Sequence, residues 1–336
     1  MSDKLLQIDK KIKISKKEIL EDYYLINESR QLSLLGRKEV FMGRAKFGVF
    51  GDGKELAQIA MSKVFENGDI RSGYYRDQTF MMAIDQLTSN QFFSQLYSHT
   101  DVTKDPHSAG RQMNCHFATR MLNDSGEWKT LTDIKNSTSD ISCVAGQMPR
   151  LIGLAYASKL YRNNSNLSNN QNFSINGNEV AFGTIGDAGT SEGHFWEAMN
   201  AAGVLQIPLV MSIWDDGYGI SVPSEYHTTR NDLSKALSGF QRSNKHEKGF
   251  ELFQVKGWDY VGLIKTYRKA ILYARNEHVP CIIHVKDVTS YLIGSRPNIS
   301  LLSIARPPFF APENKPIDEL LNEFKLKKTN IAIIVD

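Results

Sequence analysis

The chain has 336 residues, 40 basic against 37 acidic side chains, a formal charge of +3 and 41% hydrophobic residues. This length and composition fit an ordinary folded protein with one large domain or two small ones. The near balance of charge gives no reason to expect nucleic acid as a partner. Three widely spaced cysteines, Cys115, Cys143 and Cys281, argue against a disulfide scaffold or a close-spaced thiolate metal site and fit a reducing compartment. The first residues carry charges throughout, with no apolar core of a secretory signal. The longest apolar run, residues 201–214, is broken by Gln206 and Ser212 and is too short to span a bilayer as a helix. The expectation is a cytoplasmic protein with no membrane partner.

Taken in order, residues 14–36 space their apolar side chains helically and stop at Gly36, which predicts a first long helix. KELAQIAMSKVFENGD predicts a second, preceded by Gly48, Gly51 and Gly53, and residues 74–99 read as a loop followed by one or two further helices. Residues 100–140, rich in Asn, Ser, Thr, Asp and Gly but studded with Met113, Phe117 and Trp128, read as a long functional loop region. A helix from about Ala145 to Leu160 leads into an Asn- and Ser-rich excursion expected to be solvent-exposed. The centre is clearest: Val180 to Gly186 is a buried strand, Ser191 to Gln206 a helix, and Pro208 to Trp214 a second buried strand. Strand, crossover helix and strand imply an α/β fold with a mostly parallel sheet flanked by helices. A helix from about Tyr260 to Asn276 and a strand from Pro280 to Val288 follow. The text then turns irregular, with several prolines, and ends in the strand-like NIAIIVD, which fits truncation, a divergent tail or pairing with another domain.

The chemistry concentrates between Ile185 and Ser221. Gly186, Asp187, Ala188 and Gly189 sit where a strand yields to the crossover helix, where small residues let a phosphate approach and a helix N-terminus favours negative charge. Asp187 and Asp216 lie 29 residues apart, each following one of two neighbouring strands. Both carboxylates should therefore meet at the C-terminal edge of the sheet, forming an oxygen-rich site suited to magnesium or calcium and completed by a diphosphate. The bland reading of the turn alone is a tight strand-to-helix connection.

This segment resembles the thiamine diphosphate motif, a GDG turn followed at a set distance by paired asparagines. Its flanks, GYYRD, GRQM, GQMPRLIGLAYASK and DDGYGIS, resemble in order the α subunit of the E1 component of branched-chain 2-oxo acid and pyruvate dehydrogenases, from about Glu18 to Gly294. The resemblance implies a diphosphate-side thiamine-diphosphate-binding fold over residues 1–294, with 295–336 a divergent or truncated tail. It gives Tyr74, Tyr75 and Arg76 to the cofactor diphosphate, a role that suits arginine's fork of donors. It also gives Gly186, Ala188 and Gly189 to the diphosphate, Asp187, Asp216 and the Tyr218 main-chain oxygen to Mg, and Ser142 and Val144 to the aminopyrimidine ring. His116 matches a histidine near the substrate entrance, and Arg111 is a candidate substrate-side cation. Without the resemblance, Tyr75 and Arg76 read as a cap or surface pair, Ser142 and Val144 as a helix start, and His116 as a local hydrogen-bonding residue.

The pattern departs from the family in three places. Ser295 and Arg296 follow Gly294 where histidines are expected; Arg296 and His116 are the candidate catalytic residues, although arginine cannot act as a neutral proton acceptor. Asp215 and Asp216 replace the paired asparagines, and Trp214 replaces a frequent arginine, so one phosphate-side cation is missing. The resemblance implies oxidative decarboxylation of a 2-oxo acid and acyl transfer to a lipoyl group. The implied partners are an E1 β subunit or fused β domain in an α2β2 heterotetramer and a lipoyl-bearing E2 acyltransferase. A weakly active or inactive structural or regulatory homologue is the competing expectation, and transketolase-like transfer a third.

Overall fold

The computed structural model describes residues 14–167, 170–229, 232–286, 310–312, 314–327 and 333–335. The chain divides into two compact units, Met1–Leu292 and Ile293–Asp336. In the first, α1 (Lys16–Phe41), α2 (Glu55–Ser62), β1 (Ile70–Ser72), α3 (Gln78–Ala83) and α4 (Ser89–Leu96) are followed by the long loop region, which ends at β2 (Asn136–Ser137). Then come α5 (Gln147–Asn163), β3 (Ala181–Gly186), α6 (Gly193–Leu205), β4 (Leu209–Trp214), the short hairpin strands β5 (Tyr218–Gly219) and β6 (Val222–Pro223), α7 (Leu233–Leu237), β7 (Glu251–Lys256), α8 (Tyr260–Leu272) and β8 (Cys281–Lys286). In the second unit, β9 (Phe310–Pro312) pairs in parallel with β10 (Ile333–Val335), with α9 (Ile317–Lys327) between them in sequence.

The main sheet has six parallel strands in the order β2-β1-β3-β4-β8-β7. Period-two alternation sends the side chains of β3 and β4 to two cores. Val180, Phe182, Val210 and Trp214 join helices α1 to α4 and α8 on one face, and Ala181, Ile185, Leu209, Met211 and Ile213 join α5, α6 and α7 on the other. The central strands are therefore apolar in almost every position, which is why they were readable as sequence.

Three strands of the main sheet, β1, β2 and β7, were not anticipated, nor were the short β5, β6 and β9. β1 is three residues long and its inward side chains are the buried, polar Arg71 and Ser72, so it lacks the apolar run that marks a buried strand. β7 is a partly exposed edge strand. The first helix also runs through Gly36 to Phe41. A Cβ at Gly36 would lie 2.5 Å from the Phe50 ring, so this glycine admits a neighbour instead of ending the helix. The excursion after α5 is only partly exposed: Ser174 and Glu179 are buried, and Arg162 and His278 both donate toward the Gly177 carbonyl. No helix among the described residues is long and apolar enough to cross a membrane.

Candidate functional site

β3 and β4 end side by side, with Gly186 opposite Trp214 and the Asp187 amide donating to the Trp214 carbonyl at 3.3 Å. After Asp187 the chain makes a 3₁₀ turn, Ala188–Ser191, before α6 begins at Gly193, two residues later than the sequence suggested. After Trp214 it folds back through the β5–β6 hairpin. That hairpin sits tightly on the first turn, since a Cβ at Gly219 would approach the Ala188 Cβ to 2.7 Å. Between the turns lies a cleft of about 280 Å³, walled by Tyr74, Tyr75, Arg76, Val144, Gly186, Asp187, Ala188, Gly189, Asp216 and Tyr218 together with Lys54, Gln147 and Ile220.

The carboxylates of this cleft differ in their surroundings. Asp187 is buried, and its Oδ2 has no hydrogen-bond partner among the described residues. His227 Nε2 stands 3.9 Å from that oxygen and is likewise without a hydrogen bond among the described residues. Burial, reinforced by the charges of Asp216 and Asp215, raises the Asp187 carboxyl to a pKa of about 7. Asp216 receives Lys54 Nζ on Oδ2 at 3.0 Å and the Tyr218 amide on Oδ1 at 3.2 Å. Asp215 is a turn residue: Oδ1 accepts from the Gly217 amide and Oδ2 lies 2.7 Å from His284 Nε2. Burial opposes its ionisation, and the His284 contact overcomes that, holding it below the usual value. His284 is fully buried and meets Ser234 with its other ring nitrogen at 2.6 Å.

Another cluster of buried charge adjoins the cleft. Arg71 is fully buried and forms a two-pronged pair with Asp140, both bonds at 3.0 Å. It also donates to Asp77 Oδ2 at 2.8 Å, Ser137 Oγ at 2.8 Å and the Tyr74 carbonyl at 2.9 Å. Asp77 accepts in addition from Thr184 on β3 and from Trp214 Nε1 on β4, and Asp140 from the Phe117 amide. This cluster ties the Tyr74–Asp77 turn to β3, β4 and the long loop region, and so fixes the wall that carries Tyr75 and Arg76.

The structure thus brings Tyr74, Tyr75, Arg76, Val144, Gly186, Asp187, Ala188, Gly189, Asp216 and Tyr218 to one cleft. Ser142 and His116 line a neighbouring cleft that shares Tyr75, Arg76 and Ile220 with the first. There Ser142 Oγ lies 2.8 Å from His116 Nε2, and the His116 ring stacks on Tyr75 with centroids 5.7 Å apart. Burial lowers the His116 pKa and favours the neutral ring. Between Ser142 and Val144, Cys143 is exposed, whereas Cys115 and Cys281 are buried. Arg111 lines neither cleft; it hydrogen-bonds the Ser108 carbonyl. Arg296 lies outside the described residues, as do Gly294 and Ser295. Sequence reasoning missed Lys54 and the Arg71, Asp77 and Asp140 cluster. Only the Gly-Asp-Gly-Lys text before α2 hinted at the former, and the cluster's partners are too far apart in sequence to leave a local pattern.

Small residues and two carboxylates thus stand on turns at the C-terminal edge of a parallel sheet, which is where open α/β sheets place their ligand sites. Residues 30–291 match the family model described as Dehydrogenase E1 component, and the chain belongs to that family. It is 23% identical over 314 residues to mouse mitochondrial 2-oxoisovalerate dehydrogenase subunit alpha, covering 91% of this chain and 61% of that protein. It is 24% identical over 243 residues to the Bacillus subtilis 2-oxoisovalerate dehydrogenase subunit alpha, covering 72% of this chain and 62% of that protein. The chain therefore spans about six tenths of the length of these relatives. Among solved structures, transketolase from Campylobacter jejuni superposes with a TM-score of 0.46 at 15% identity, covering 78% of this chain and 37% of that one, a likeness too loose to bear on chemistry.

Proposed function

We propose that this chain is an E1 alpha-type subunit that holds thiamine diphosphate by its diphosphate end with Mg. Together with an E1 β subunit or fused β domain, it takes part in oxidative decarboxylation of a 2-oxo acid and acyl transfer to a lipoyl-bearing E2 acyltransferase. Family membership supports the reaction class. The observation that carries the site is the buried Asp187 Oδ2, left without a hydrogen bond in the cleft where Tyr75, Arg76 and the Gly186–Gly189 turn meet. A buried carboxylate without a partner is costly unless a cation completes it, so the residue fits a metal ligand. Asp216 and the Tyr218 main-chain oxygen are the further donors available from the β4–β5 turn, and magnesium commonly takes one or two carboxylates with waters and phosphate oxygens. Among the described residues no three His, Cys, Asp or Glu side chains cluster as a metal site, so the proposed ion would need diphosphate and water oxygens to complete its shell.

When bound, thiamine diphosphate supplies the nucleophilic carbon and the electron sink. This chain's residues bind, orient and enclose. Arg76 offers a planar fork to the phosphates, Val144 forms a wall of the cleft, and His116, neutral with Nδ1 on the Asn114 carbonyl, reaches the substrate path with Nε2 by exchanging its Ser142 contact. Arg296 belongs to the same proposal as a phosphate-side cation. A cytoplasmic location is also proposed, supported by three free cysteines.

The test is calorimetric titration with thiamine diphosphate, with and without magnesium, then with a β-type partner added. Saturable magnesium-dependent binding that Asp187→Ala abolishes is expected. No binding in the presence of the partner would overturn the cofactor reading. A second reading, a catalytically weak or inactive homologue with a structural or regulatory role, is favoured by Lys54 occupying one oxygen of Asp216. It predicts binding without turnover.

A further inference from the structure

We propose that Lys54 is a diphosphate ligand and the built-in counter-charge of this cleft, a role that rests on the diphosphate site proposed above. Lys54 immediately precedes α2, its side chain is 2% exposed, and it lines the cleft. Its ammonium gives one hydrogen bond to Asp216 at 3.0 Å, and an ammonium carries three donors. An ammonium kept out of bulk water and facing a cleft has donor capacity left for an anion there.

The local sequence is arranged to deliver it. The chain turns through Gly51, Asp52 and Gly53, with Gly53 at φ +91°, and the Lys54 amide closes the turn onto the Gly51 carbonyl at 3.3 Å. A Cβ at Gly51 would lie 2.6 Å from the Arg76 carbonyl oxygen, so only glycine allows this loop to rest on the Arg76 backbone. Gln58 on α2 donates to the same carbonyl at 2.8 Å. Lys54 and Arg76, the Lys and Arg side chains among the described residues lining the cleft, are thus mounted on segments locked to each other. The end of β4 contributes no cation, because Trp214 is buried there with its indole N–H turned to Asp77. Lys54 supplies a positive charge from a different element, opposite Asp216. Diphosphate binding by this cleft should therefore depend less steeply on magnesium than binding by a cleft with carboxylates alone.

The experiment titrates inorganic pyrophosphate, and separately thiamine diphosphate, into the full chain in EDTA and at saturating magnesium. The proteins compared are the unmodified chain, Lys54→Met, Lys54→Arg and Asp216→Asn, with thermal melting of each as a folding check. The unmodified chain is expected to bind pyrophosphate in EDTA. Lys54→Met should weaken that binding at least tenfold and lose less in magnesium, and Lys54→Arg should restore most of it. Asp216→Asn keeps the lysine and frees its ammonium, so it should tighten binding in EDTA severalfold, a readout that stands even where Lys54→Met folds poorly. Unchanged pyrophosphate affinity in Lys54→Met, no binding by the unmodified chain in EDTA, or weaker binding by Asp216→Asn would each overturn the proposal. Thiamine diphosphate binding that needs magnesium and ignores Lys54 would sink the lysine role and leave the cofactor reading intact. Pyrophosphate binding through Lys54, with no thiamine diphosphate binding even beside a β-type partner, would do the reverse.

Discussion

Two clusters of buried charge lie close together at the C-terminal edge of the sheet, and they are finished differently. Around Arg71 every prong of the guanidinium meets an acceptor, and both carboxylates, Asp77 and Asp140, take further donors. In the cleft, Asp187 is also buried yet has an oxygen with no hydrogen-bond partner among the described residues, while burial raises carboxyls of both clusters, Asp140 to about 6 and Asp187 to about 7. The first arrangement is complete within the protein and serves as scaffold; in the proposed function the second is completed by the bound ion. A count of buried charges would treat them alike, whereas the count of satisfied oxygens separates them.

If that contrast is right, removing the centre of the satisfied cluster has the largest effect. Arg71→Met should cost about 3–5 kcal/mol in denaturant unfolding, because two buried carboxylates lose their partner. A cost below 1 kcal/mol would mean that the cluster is not scaffold. Asp187→Asn should act in the opposite direction, stabilising the ligand-free chain by about 2 kcal/mol at pH 8 while abolishing magnesium-dependent cofactor binding. The sign follows from the raised folded-state pKa. The stability gained by keeping this carboxyl protonated is fully present below about pH 3.8 and is lost as pH rises through about 7. The two proteins should therefore melt alike below about pH 3.8, draw apart as pH rises to about 7 and keep a steady difference above it; a gap already present at low pH would break the comparison. Thr184→Val, which removes the hydroxyl linking β3 to Asp77, should cost about 1–2 kcal/mol, read by thermal unfolding. The smallest effect lies far from both clusters, at His278, whose pKa burial lowers to about 4. Its contribution is present above about pH 6.5 and is lost as pH falls toward 4. His278→Gln should flatten the stability profile in that window and leave neutral pH nearly unchanged.

How much of this was legible in the sequence follows the range of the interactions. The β3–α6–β4 unit could be read because its strands face two apolar cores and are hydrophobic at nearly every position. The Gly186–Gly189 turn and Asp216 were legible because strand ends next to each other in a parallel sheet place their following residues together. β1 was not, because Arg71 and Ser72 make it look like loop text, and what makes it a strand is pairing with residues more than 60 positions away. Lys54 was invisible for the same reason: its partner is 162 residues downstream. Gly36 misled because a glycine that makes room for a ring and a glycine that ends a helix are the same letter.

The exposed thiol of Cys143 adjoins in sequence the cleft-lining Ser142 and Val144, while the other two cysteines are buried, which offers the unmodified chain a reporter position beside the cleft. An environment-sensitive dye attached through maleimide chemistry should label this position selectively, and its emission would then follow occupancy of the cleft in real time without any engineered residue.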